Sequence, residues 1–160
     1  MKHIKFVLLV VAVAVTMALF EVQVEGSQGW ASALPTWRYN FSLPMMGMWG
    51  GSEKPITGYH LYLWLFSLLL THSVFLMTKW SLKKELWALS FYVLFTTLEG
   101  ALWFVFNPAF GWQSFRYGAI GWYQELWLWG LPAEYWVRIG AGAGLYLLGM
   151  NYEDRENRTG

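Results

Sequence analysis

The stretch Leu86-Trp-Ala-Leu-Ser-Phe-Tyr-Val-Leu-Phe-Thr-Thr-Leu-Glu-Gly-Ala-Leu-Trp-Phe-Val-Phe106 decides the fold. It is an apolar run long enough to cross a bilayer as a helix, and Glu99 is its one charged side chain. A carboxylate at that depth costs on the order of 2–4 kcal/mol unless something compensates it, so Glu99 is the first candidate functional residue.

The composition of the whole chain agrees with a membrane setting. It is 56% hydrophobic, 20% aromatic and only 13% charged, too apolar and too rich in tryptophan for an ordinary soluble domain. A formal net charge of +1 supplies no electrostatic argument for a nucleic-acid partner. Cysteine does not occur, which removes disulfides, thiol chemistry and cysteine-based metal sites.

Moving outward from Leu86, the preceding residues 59–78 read as another span, interrupted only by Thr71 and His72. Lys79, Lys83 and Lys84 make a basic turn into the span 85–106. Asn107-Pro108 ends that span, because proline removes a donor and biases its predecessor away from helix. Residues 107–132 follow as an external segment, rich in tryptophan and tyrosine, expected to form a helix in the interface with Gln124 and Glu125 toward water. A last span is expected over 133–150 and a cytoplasmic tail over 151–160.

At the other end, Phe6 to Phe20 is uncharged and rises about 22 Å as a helix, less than the ~30 Å hydrocarbon core. A signal peptide is one reading. The small-x-small triplets at Ala12 and Thr16 lie inside the apolar run rather than after it, which favours a retained signal-anchor over 6–24. Residues 25–58 carry Gly26, Gly29, Pro35, Pro44, Gly47, Gly50, Gly51 and Pro55, a density of breakers that rules out a long helix. With Trp30, Trp37, Tyr39, Phe41, Met45, Met46, Met48 and Trp49 this external loop is expected to be an aromatic cap at headgroup level, or a lid over a ligand. The fold class is an all-α integral membrane protein: a small bundle of four transmembrane helices, three if the first is cleaved, with an interfacial helix and an aromatic outer cap.

Orientation follows from the basic residues. Lys2, Lys5, Lys79, Lys83, Lys84, Arg155 and Arg158 fall on one side, and Arg38, Lys54 and Arg116 on the other. Seven against three predicts a cytoplasmic C-terminus, and a cytoplasmic N-terminus if the first segment is retained. At 1.5 Å per residue, Glu99 then lies roughly 10 Å below the outer end of its span and Arg138 roughly 8 Å below the outer end of its own, with His60 and Glu134 near the surface. His72 falls on the inner side, level with Tyr92, a hydrogen-bond partner by depth.

Two readings of these residues stand side by side. In one, Glu134 pairs with Arg138 four residues on, or Arg138 pairs with Glu99, and the charges only fix packing. In the other, Glu99, Arg138, Glu134 and His60 line a polar pocket open to the outer surface and suited to proton transfer, with Tyr59, Trp103, Trp136 and Asn107 as ligand contacts. No His-x-x-x-His or Glu-x-x-His pair occurs, and no metal site is expected. Gly140 and Gly144 form a small-xxx-small face for close helix packing, against the Leu86–Phe106 helix or another protein. The run Leu131-Pro-Ala-Glu-Tyr-Trp136 resembles the Pro/Glu/aromatic segments of small membrane carotenoid cyclases, and on six residues no activity is carried over.

Two functions from different classes follow. One is a protein that binds or modifies a hydrophobic ligand such as a lipid, quinone or isoprenoid near the outer interface. The other is a non-catalytic subunit or assembly factor of a larger membrane complex, or a homo-oligomer. No particular cofactor is indicated.

Overall fold

The computed structural model describes residues 2–40, 55–120 and 126–159. It is mostly helical. Helix α1 runs Lys2–Glu25, α2 Gly58–His72 with a 3-10 turn Ser73–Leu76 continuing it, α3 Leu82–Phe106 and α4 Ala133–Thr159. Two small hairpins complete the description: β1 (Arg38–Tyr39) pairs antiparallel with β2 (Ile56–Thr57), and β3 (Trp127–Leu128) with β4 (Leu131–Pro132).

Local chemistry explains the boundaries. The Ser81 hydroxyl accepts from Lys84 N at 3.4 Å and Glu85 sits in the first turn of α3, both favourable at a helix N-terminus. Asn107, before Pro108, is extended and ends α3. Thr57 caps α2 by accepting from His60 N at 3.2 Å. Gly26 closes α1 in the left-handed conformation (φ 66°), with its N–H on Val22 O at 3.0 Å.

Helix α3 is the hub against which the other three pack. Val10 and Ala14 of α1 meet Phe95, while Ala18 and Val22 join Trp103 and Phe104, so α1 and α3 run parallel. The fully buried Ala14 and Ala18 let the two backbones approach. Helix α4 is antiparallel to α3: Gly100 faces Tyr135, Gly142 faces Leu94, and Gly149 faces Trp87. Helix α2 is also antiparallel, with the Tyr92 hydroxyl donating to Trp64 O and Glu85 meeting His72. The partner expected for His72 was Tyr92; each instead finds a different one, because α2 lies closest to the α3 N-terminus at its own C-terminal end.

Of the two partners expected for the Gly140–Gly144 face, α3 is not the one it meets. A Cβ on Gly140 or Gly144 would meet nothing within 4 Å, whereas one on Gly142 would sit 2.6 Å from Leu94 Cδ2, and one on Gly149 would clash with Trp87. At about 100° per residue, Gly142 lies nearly opposite its neighbours two residues away, while Gly149, seven residues on, shares its stripe. Ser90 Oγ donates to Gly142 O at 2.8 Å across this contact.

Helices α1, α3 and the segment Gly58–Leu76 are long and apolar enough to cross a membrane. Helix α4 is not among them: Glu134, Arg138 and its glycines dilute its apolar character, and it continues to Thr159 through the expected tail. The interfacial helix expected over 107–132 does not form among the described residues. A 3-10 turn at Trp112–Ser114 and the β3–β4 hairpin stand there, because Gly111, Gly118, Trp129 and Gly130 adopt positive φ and break any helical run. Gln124 and Glu125, and Phe41, Met45, Met46, Met48 and Trp49 of the expected cap, lie outside the described residues.

Candidate functional site

Where α1 ends, α2 begins and α3 passes between them, five ionisable side chains come together. Glu21 and Glu25 lie on the last two turns of α1, Tyr59 and His60 on the first turn of α2, and Glu99 on α3. Glu21, Glu25 and His60 are only 7%, 5% and 4% exposed. Such burial is costly for charged groups unless they find partners, and the partners are specific.

His60 Nε2 is 3.2 Å from Glu25 Oε1, and His60 Nδ1 is 2.7 Å from the Thr57 hydroxyl. With the proton on Nε2, His60 donates to Glu25 and accepts from Thr57, which satisfies both ring nitrogens. Glu25 Oε1 also accepts from Ala31 N at 2.6 Å. The indole of Trp30 stacks on the His60 ring at 3.9 Å between centroids and donates from Nε1 to Pro55 O at 2.8 Å. To reach these positions Gly29, Trp30 and Ala31 all take left-handed φ values of 64°, 48° and 52°. For Trp30 and Ala31 that costs roughly 1–2 kcal/mol each, a strain located at the cluster.

Glu21 and Glu99 approach within hydrogen-bond reach of each other. A carboxyl group donates only when it carries a proton, so a hydrogen bond between these two acids requires one of them to be protonated. The Tyr59 hydroxyl faces Glu21, while Glu99 Oε1 and, one turn along α3, Trp103 Nε1 are buried without a hydrogen-bond partner among the described residues.

The other candidates fall elsewhere. Arg138 comes within electrostatic range of Glu99 but forms no ion pair with it; its Nη2 donates to Thr96 Oγ1 at 2.8 Å. Helix α4 approaches α3 from another side than α1 and α2, which is why equal depth does not produce contact. Glu134 is half-buried in the first turn of α4 and makes no ion pair with Arg138. Trp136 Nε1 donates to Leu128 O at 2.8 Å and holds the β3–β4 hairpin. Asn107 is a clamp: Nδ2 donates to Gly26 O at 2.8 Å and Oδ1 accepts from Ala109 N at 3.0 Å, tying the ends of α1 and α3. Of the expected pocket, Glu99 and His60 thus share one cluster, with Tyr59 beside them.

Glu21 and Glu25 escape a reading that treats the first segment as an anchor alone. A signal for them exists, since Ala14, Ala18, Glu21 and Glu25 repeat at spacings of four, three and four, one helix face that turns from small to acidic. Among the described residues, no group of three His, Asp or Glu side chains is arranged to hold a metal ion. No family model, curated protein or solved structure matches the chain.

Proposed function

We propose that this chain is an integral membrane protein that binds a hydrophobic ligand, a lipid, quinone or isoprenoid, whose polar end enters the Glu21–Glu25–Tyr59–His60–Glu99 cluster. The observation that carries the reading is the meeting of two buried carboxyls, Glu21 and Glu25, with the half-buried Glu99 between apolar helices, where Glu99 Oε1 is unpartnered among the described residues. Side chains such as Leu8, Phe20, Phe66 and Leu69 project outward from α1 and α2 as bilayer-facing residues do. In this reading the cluster lies near the outer interface and, with α4 as the fourth crossing, both termini lie in the cytoplasm, the arrangement that the positive-inside count favours. Should the ligand be modified as well as bound, the carboxyl pair Glu21–Glu99 is the acid–base group at hand.

The test is purification of the full chain in mild detergent, followed by solvent extraction and native mass spectrometry. A small hydrophobic molecule retained by the parent and lost from Glu99→Gln, with the melting temperature nearly unchanged, is the expected result. A parent preparation that carries no such molecule overturns the reading.

The alternative, a non-catalytic subunit, draws support from the open face at Gly140 and Gly144, which the fold leaves unused. A partner chain at fixed stoichiometry in the same preparation favours it.

A further inference from the structure

The cluster's donors and acceptors point to one kind of head group. Glu25 is engaged by Ala31 N and His60 Nε2, and Thr57 completes the other side of the imidazole. Glu21 and Glu99 engage each other. The Tyr59 hydroxyl faces Glu21. What remains at this end without a partner among the described residues is one carboxylate oxygen, Glu99 Oε1, and one donor, Trp103 Nε1. Trp103 is 96% buried, being only 4% exposed, and lies one turn from Glu99 on the same face of α3. Buried polar atoms are ordinarily paired, and an orphan acceptor and an orphan donor one turn apart call for an occupant that brings both a donor and an acceptor.

We infer that the cluster takes the hydroxyl end of a hydrophobic molecule, an alcohol, phenol or quinol. This rests on the hydrophobic-ligand reading above and narrows its substrate class. A hydroxyl donates its proton to Glu99 Oε1 and offers a lone pair to Trp103 Nε1, which matches the inventory one for one. An ammonium head has three donors and no acceptor, so it leaves Trp103 unpaired. An anionic head would sit against three carboxyl groups. An ether or a carbonyl offers an acceptor alone and leaves Glu99 Oε1 without a donor.

The experiment uses the full chain in mild detergent and four probes of one chain length: hexadecanol, its methyl ether, hexadecylamine and hexadecane, read by native mass spectrometry titration. The alcohol is expected to bind at least about tenfold tighter than the ether and the amine, the worth of one hydrogen bond to a carboxylate. Glu99→Leu should bring alcohol and ether to the same affinity, because only the alcohol uses that oxygen. Trp103→Phe should weaken both by the same factor and keep their ratio. The comparison among probes on the parent protein stands even if a variant fails to fold. Equal binding of alcohol and ether overturns the hydroxyl assignment and leaves the hydrophobic-ligand reading in place. Tightest binding of the amine also overturns it, in favour of a cation site, and binding of no probe overturns both.

Discussion

Helix α2 carries a histidine–glutamate contact at each end, and the two ends differ in completeness. At its C-terminal end His72 Nε2 meets Glu85 Oε1 at 2.9 Å, His72 Nδ1 faces Leu68 O at 2.8 Å, and Trp80 Nε1 donates to Glu85 Oε2 at 3.0 Å. Every polar atom of that contact has a partner, and both side chains are about a quarter exposed. At its N-terminal end His60 meets Glu25, deeply buried, beside Glu99 and Trp103 with atoms unpartnered among the described residues. The same two residue types therefore make a finished structural clasp in one place and an unfinished site in the other. A clasp that only ties α2 to α3 needs no buried orphan atoms, whereas a binding site keeps them for its ligand.

The comparison breaks first on sidedness. Cysteine introduced at Ser32, beside the N-terminal end of α2, and at Ser81, beside its C-terminal end, should label from opposite sides of the membrane with an impermeant reagent. Labelling from the same side would mean that α2 does not span. It breaks next on α1, because that helix supplies two of the three carboxyls: intact mass of the purified protein should show α1 retained, and a mature chain starting beyond Glu25 would abolish the site as described.

Exchanging one charge at each end sharpens the contrast. Glu99→Gln should weaken ligand binding at least about tenfold with little change in stability, since the amide keeps the size and much of the hydrogen bonding. Were binding to survive unchanged, the N-terminal cluster would be structural too.

The α3–α4 seam on the far side serves as a control for packing. Gly142→Ala drives a Cβ into Leu94 and should destabilise by about 1–3 kcal/mol, measured as denaturation in detergent. Gly140→Ala, on the open face, should be neutral or stabilise by up to about 1 kcal/mol. Equal effects at the two glycines would contradict the assigned seam.

The smallest effect is expected at the C-terminal clasp, where His72→Gln should cost about 0.2–1 kcal/mol, as partly exposed pairs do, and leave ligand affinity alone. A loss of ligand from that variant would erase the distinction between the two ends.

Much of the fold is legible in the chain because its causes are local. Uninterrupted apolar runs, Ser81 and Thr57 as caps, and Asn107-Pro108 as a terminator act within a few residues, and they mark helices near where the structure has them. The run Leu86–Phe106, singled out for its lone carboxylate, is the helix that all others touch. One local reading went astray for a local reason as well, since positive φ at Gly111, Gly118, Trp129 and Gly130 broke the aromatic segment, and which glycine face meets α3 turned on helical phase.

The sequence by itself determined where the apolar helices lie and that Glu99 and His60 carry a burial cost needing compensation. Only the tertiary structure decided what compensates them. Depth along an axis is one coordinate, and it matched Glu99 to Arg138; contact also needs the azimuth of each helix, and that turns Glu99 toward α1 and α2 while Arg138 bonds Thr96 from α4. Glu21 and Glu99 lie far apart in the chain, and no local pattern encodes their meeting. It follows from the small side chains of Ala14 and Ala18, which bring α1 against α3 closely enough for the carboxyls one and two turns further on to join the cluster.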